Sequence, residues 1–189
     1  MSWLSILGLL LAFLLAATLI GMRLPKTHAA ASRIRLPVPR EPLWEILTNF
    51  TDHPRWRPGL ERVEMGPKLN GHPTWYEFCG RDLRVQFEVA VSEPPNLMVT
   101  RLVGEKLPLS GTWRYELVAD GDGTVLTVTE SERIYSPLWR FIARYLLSYH
   151  AAMDVFLIAL ARHLGTDATP EHLSLQPEDE GIRPKSVSP

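Results

Sequence analysis

The chain has 189 residues, 46% of them hydrophobic, with 22% charged residues and a formal net charge of −1. That is enough apolar material for one sizeable core with appendages, and the balanced charge leaves no electrostatic footprint for nucleic acid. A single cysteine, Cys79, excludes an internal disulfide, and the six histidines show no short metal-ligand spacing, so neither a metal site nor a cofactor is expected.

In chain order, the first element is an apolar run. Residues Trp3 to Met22 carry no charge and include eight leucines. As a helix the run spans ~30 Å, the thickness of a bilayer core. A cleavable signal peptide is the alternative, with Ala29-Ala30-Ala31 as a cleavage site. No Lys or Arg precedes the run, however, and it is longer than an ordinary signal core of ~7–15 residues. A retained transmembrane helix over 3–22 is therefore expected, followed by a basic linker over 23–30. Arg23, Lys26, Arg33, Arg35 and Arg40 follow the run, and no acid appears before Glu41. The positive-inside rule then places the globular part on the cytoplasmic side of the cell membrane, as a single-pass protein.

The stretch from Arg33 to Val63 reads as strand, corner, helix and loop. Ile34, Leu36 and Val38 alternate with Arg33, Arg35 and Pro37, the period of a half-buried strand. Pro39 and Pro42 end it and suit the first turn of a helix, where no intrahelical N–H is required. Leu43, Trp44, Ile46, Leu47 and Phe50 give that helix one apolar face, and His53-Pro54 stops it. This order of elements, with Pro39, Leu43, Trp44, Asp52, Trp56 and Pro58 in place, resembles the opening of the START/polyketide cyclase-like (SRPBCC) superfamily. The resemblance extends by order of elements from about residue 31 to 165. It implies an α+β helix-grip fold: a curved antiparallel sheet of about seven strands wrapped on a long C-terminal helix around an apolar cavity, here preceded by a transmembrane helix.

Further strands follow at Val63 and Met65, at His72 to Cys79, and at Asp82 to Val91, where Leu83, Val85, Phe87, Val89 and Val91 alternate with polar residues. Asn70-Gly71 marks one of the intervening turns. Leu97 to Val103 is a strand of ambiguous parity. Ser110 to Ala119 carries Trp113, Tyr115 and Leu117 on one face, Asp120 to Gly123 turns a hairpin, and Thr124 to Ile134 completes the sheet. Ser136-Pro137 caps a long helix with a broad apolar stripe, ending at Gly165, with a break foreseeable near Ser148-Tyr149-His150. Residues 166–189, rich in proline and acid, are expected to be a disordered tail.

No nucleotide-binding glycine loop, serine elbow or zinc-protease motif is present. Cys79 and His150 have no placed catalytic partner and read as structural. What remains is shape. Ile34, Leu36, Val38, Val63, Met65, Val85, Phe87, Val89, Trp113, Tyr115, Leu117, Leu126 and Val128 are expected to face inward. Tyr145, Tyr149 and Met153 of the helix close the cavity. The loops at Trp56-Arg57-Pro58 and Gly104 to Gly111 are placed at its mouth, although Trp56 reads first as a packing residue. Arg140 and Arg144, with Trp139, are candidates to face lipid headgroups, an ordinary solvated face being the plainer reading.

Strict alternation carries Glu130 and Glu132 to the inward face beyond Leu126 and Val128, with Arg101 as a candidate counter-ion. The expected state is a wet rim with surface partners. The alternative is a dry pair in which one carboxyl is held protonated as a general acid. The leading functional expectation is a membrane-anchored domain that binds a hydrophobic small molecule such as a lipid, quinone or polyketide-like compound. Its rivals are a cyclase or dehydratase-like enzyme and a cavity-free interaction domain.

Overall fold

The computed structural model describes residues 2–69, 71–80, 83–104, 109–146 and 148–175. Its first element is helix α1, Trp3–Arg23, whose N-terminus is capped by the Ser2 hydroxyl. It is the one helix among the described residues long and apolar enough to cross a membrane, and most of its surface is uncovered by the rest of the chain.

Strand β1, Thr27–Leu36, begins inside the stretch expected to be a linker. Its small residues Ala29, Ala30 and Ala31 are paired in the sheet opposite Ser131, Glu130 and Thr129 of the last long strand. Helix α2, Arg40–Thr48, follows and buries Leu43 and Leu47. A short 3-10 helix, Phe50–Arg55, buries Phe50 and His53. The meander then runs through β2 (Arg62–Leu69), β3 (His72–Cys79), β4 (Leu83–Glu93), β5 (Leu97–Val103), β6 (Leu109–Asp120) and β7 (Gly123–Ile134). The turn at Asn70 and the core of the Gly104 to Gly111 loop, residues 105–108, lie outside the described residues.

With a last short strand near the C-terminus, β8 (Glu171–Leu173), the order in the sheet is β2-β3-β4-β5-β6-β7-β1-β8. This final strand was not foreseen. It pairs with β1 within the segment expected to be disordered. The rest of that expected tail, residues 176–189, lies outside the described residues. A composition argument misses such a strand, since three residues gain their place from a neighbouring strand edge and not from a core of their own.

The C-terminal helix is two helices. Helix α3, Pro137–Tyr145, starts with the Ser136 cap and Pro at its first position. Helix α4, Ala151–His163, buries Met153, Phe156, Leu157 and Leu160 against the concave face. Only α4 grips the sheet; α3 packs instead on α1.

Alternation along the strands sets the inside. Leu117 pairs across from Leu126, Tyr115 from Val128 and Trp113 from Glu130, all on the concave face. Met98 and Thr100 continue that face on β5, opposite Tyr115 and Trp113. Met65, expected inside, is exposed. At the far end of the sheet β7 starts at Gly123, where an added Cβ would lie 2.5 Å from the Leu36 carbonyl oxygen. A glycine is therefore what lets the start of β7 lie this close to the end of β1, and the Thr124 hydroxyl donates a 2.7 Å bond to the Val38 carbonyl.

Candidate functional site

Between the concave face, α4 and the α2/3-10 corner lies a cavity of about 210 Å³. Its wall is mainly aromatic: Phe50, Trp75, Phe87, Trp113, Tyr115 and Phe156. These rings hold each other in place. Phe50 stacks on Trp75 at 3.9 Å, Trp75 on Phe87 at 5.5 Å, and Phe156 meets Trp113 edge-on at 5.7 Å. Leu47, Met98 and Thr100 fill the gaps, and the polar groups are His53, Arg57, Glu77 and Glu130.

Three of those polar groups form one unit. The Arg57 guanidinium donates to both Glu77 carboxylate oxygens, at 2.6 and 3.1 Å. Trp75 Nε1 donates a further bond to Glu77 Oε1 at 3.1 Å. His53 Nε2 donates to the Leu47 carbonyl at 3.2 Å, which leaves Nδ1 to accept from Arg57 at 3.3 Å. That arrangement suits a neutral imidazole. Burial, and then the Arg57 charge, push His53 down to about 4.

Glu130 stands apart from this unit. It is 7% exposed, and its partner is Trp113 Nε1, which donates to Oε1 at 2.6 Å. Desolvation first, and the neighbouring Glu132 carboxyl second, push Glu130 up to about 7. Glu132 also titrates above the ordinary carboxyl range, because of burial. Tyr115 is shifted upward too, by burial, and its phenol stays protonated. Glu130 can therefore hold a proton near neutral pH beside an apolar wall, which is what an acid or a hydrogen-bond donor to a ligand requires.

Glu130 is thus enclosed and not at a wet rim, while Glu132 is half-buried and paired with His28 at 3.8 Å. Arg101 is not their counter-ion. It alternates with Thr100, so it points to the opposite face, where it binds the buried Glu88 carboxylate.

Of the residues expected to line the cavity, Phe87, Trp113 and Tyr115 do. Val85 is half-buried on the same face, opposite Glu77. Val89 lines a separate depression with Trp44, Phe50 and Met98. Leu117, Leu126, Val128 and Met153 are fully enclosed and fill the core beside the cavity. Tyr145 is 57% exposed on α3, remote from the site, because that helix turns away to α1. Tyr149 stacks on His28 at 4.1 Å in the segment between the two helices.

Trp56 packs between Phe156 and His163. Arg140 does not reach out to headgroups: it is buried and donates to the Leu24 carbonyl at 3.0 Å.

The contributions of Trp75, Glu77, Thr100, Met98 and Phe156 were missed. Phe156 was visible in the apolar stripe of the helix. Thr100 and Met98 lay on a strand of undecided parity, and Glu77 was not singled out, since its counter-ion comes from a loop twenty positions earlier.

A family profile described as polyketide cyclase / dehydrase and lipid transport matches residues 27–164. No curated protein matches the chain in sequence. Among solved structures, the Zhui aromatase/cyclase from Streptomyces sp. R1128 is 12% identical over 74% of this chain and 94% of its own, with a TM-score of 0.62. A conserved protein from Geobacillus kaustophilus is 16% identical over 77% of this chain and all of its own, at 0.61. Norcoclaurine synthase from Thalictrum flavum, in complex with dopamine and hydroxybenzaldehyde, is 12% identical over 77% and 90%, at 0.57. At these identities the structural likeness speaks for the fold.

Proposed function

The chain belongs to the polyketide cyclase / dehydrase and lipid transport family, and on that footing we propose that it is a membrane-anchored domain that binds a small, ring-containing apolar molecule in the cavity between sheet and α4. The observation that carries this reading is the aromatic cavity itself. Its volume of about 210 Å³ falls below the roughly 300–1,000 Å³ of pockets for drug-sized ligands. A one- or two-ring molecule suits that space better than a long-chain lipid or an extended quinone tail. Glu130, protonated near neutral pH, would donate to a carbonyl or hydroxyl oxygen on the ring, while the flat walls of Trp113, Phe87 and Phe156 stack against it.

Helix α1 supports anchoring by its length and uncovered apolar surface. The basic residues after it favour the cytoplasmic side for the domain. An anchor of this kind keeps the cavity beside a reservoir of apolar compounds.

A second reading, acid–base chemistry on the bound ring, is favoured by one observation: a carboxyl raised to about 7 and fixed by the Trp113 indole inside the cavity. The two readings share the ligand and differ in what Glu130 does to it.

The test of binding uses the full chain purified in lipid nanodiscs, with mass spectrometry of its organic extract. The comparison is Thr100→Phe, which fills the cavity from its wall. One aromatic compound recovered in stoichiometric amount from the natural chain, and lost from the variant, is the expected result. Identical extracts from both proteins, with no quenching of tryptophan fluorescence by added 2-naphthol, would overturn the reading.

A further inference from the structure

We propose that α3 is a second membrane-contacting element, which lies beside α1 in the leaflet nearest the domain and seats the domain against the lipid bilayer. The inference rests on the reading that α1 crosses a bilayer, and it adds a surface that the cavity and the anchor do not explain.

The contact between the two helices begins at the end of α1 and continues along it. At Gly21 an added Cβ would fall 1.9 Å from the Pro137 carbonyl oxygen. Only glycine permits that approach. One turn earlier, Ala17 is 1% exposed, so Ala17 and Gly21 form the small-residue spacing through which helices approach closely in lipid. Further along, the Phe13 ring meets Phe141 edge-on at 6.3 Å. From Gly21 to Phe13 is about 12 Å along the axis of α1. Phe13 itself stands about 15 Å from Arg23, near the middle of the apolar run. A helix that touches Phe13 is at the depth of the hydrocarbon whenever α1 is.

The composition of α3 fits that position. Trp139 and Tyr145 of α3, and Leu146 immediately after it, are 50%, 57% and 68% exposed. A water-facing helix has no use for three such residues. Trp139, near the Gly21 end, suits the boundary between headgroups and hydrocarbon that Trp favours, and Tyr145 and Leu146 lie at the end that continues past Phe141 into the apolar layer. No acidic residue occurs between Glu132 and Asp154. Of the two arginines in the helix, Arg140 is withdrawn from the outer side and donates to the Leu24 carbonyl at the C-terminus of α1, where positive charge complements the helix dipole. Arg144 is exposed and lies over the Tyr145 ring. Its long stem can carry the charge back to the headgroups.

The occupant of this face is lipid; a second copy of the chain is the competing occupant. The test uses the full chain with Cys79→Ser, carrying one fluorophore-labelled cysteine at a time, at Leu10, Tyr145, Leu146 or Val118. Each protein is placed in phosphatidylcholine–phosphatidylglycerol vesicles containing spin-labelled lipids as quenchers. The expected result is a several-fold loss of fluorescence at Leu10, Tyr145 and Leu146, with none at Val118 on the distal end of the sheet. Quenching at Leu10 with Tyr145 and Leu146 behaving like Val118 would overturn the role of α3 and leave the anchor standing. No quenching at Leu10 would remove the anchor, and the proposal with it. Labels at Tyr145 and Leu146 shielded from both lipid quencher and aqueous iodide would assign the face to a second copy and overturn the lipid contact.

Discussion

Glu130 and His53 face one cavity, and burial disfavours the charged form of each, so they bias stability in opposite directions along the pH scale. The folded state raises Glu130 from 4.5 to about 7. Its contribution is therefore complete below about pH 4.5 and is lost as pH rises through 7. The folded state lowers His53 from 6.5 to about 4. That contribution is complete above about pH 6.5 and is lost as pH falls towards 4. Glu130→Gln is expected to stabilise the chain by on the order of 2–3 kcal/mol at pH 8 and by little at pH 4. Thermal midpoints across that range, in nanodiscs, check the sign. A 13C NMR titration of the Glu130 carboxyl should give a midpoint near 7, and a value near the ordinary 4.3 of an exposed glutamate would remove the acid-chemistry reading. The Arg57–Glu77 pair makes a separate prediction. Arg57→Met leaves a carboxylate buried without its cation and should cost roughly 3 kcal/mol, of which Arg57→Met combined with Glu77→Gln recovers the larger part. Urea midpoints of the two single variants and the double variant form the cycle that measures it.

Two glycines set how the elements meet. Gly123 lets the start of β7 lie close against the end of β1, and Gly21 lets α3 close on α1. Gly123→Ala forces a backbone shift at Leu36 and is expected to cost about 1–3 kcal/mol, read as a lowered urea midpoint. Gly21→Leu should separate the two helices without unfolding the sheet. A cross-link made by a short bismaleimide between cysteines placed at Phe13 and Phe141, whose rings are 6.3 Å apart, is expected in the natural background and should then fall several-fold. The small strand β8 is held differently. Glu171 pairs with Arg33 at 2.9 Å, and His172 donates to Asp154 at 2.8 Å. Asp154 also accepts from the buried Ser32 hydroxyl. Exposed ion pairs of this kind add at most about 1 kcal/mol each. Amide exchange at residues 171–173 is therefore expected to be far faster than in β7, which is paired on both sides.

Across the whole molecule, the packed part of the interior and the open part should respond differently to truncation. Leu157 is fully enclosed, and Leu157→Ala should cost about 2–5 kcal/mol. Phe87 has the cavity on one side of its ring, so Phe87→Ala loses fewer contacts and should cost less, while enlarging the room for ligand. Equal losses at both positions would argue that the cavity is filled in solution. The orientation in the membrane is checked by reporters fused after Pro189. Activity is expected from a cytoplasmic reporter alone, and a mature chain beginning at Ser32 would instead identify the apolar run as a cleaved signal.

Read alone, the sequence carried the features that local chemistry decides. Period-two alternation located β1, β4, β6 and β7, turn residues and aromatic or aliphatic runs located the strands between them, the Pro-bracketed corner located α2, and an uncharged run of bilayer length located α1. The same alternation placed Phe87, Trp113, Tyr115 and Glu130 on one face, because side-chain direction along a strand follows from backbone geometry. What alternation cannot supply is the partner. Arg101 and Glu130 were plausible together until register put Thr100, and not Arg101, opposite Trp113. Glu77 shares the inward face with Trp75, but its partner Arg57 reaches it from a loop that no strand pattern places. One continuous apolar stripe became two helices because its halves bury against different surfaces, α3 on α1 and α4 on the sheet. A hydrophobic pattern records that a face is to be covered; only tertiary packing determines what covers it, and here that decided both the shape of the cavity and the place of α3.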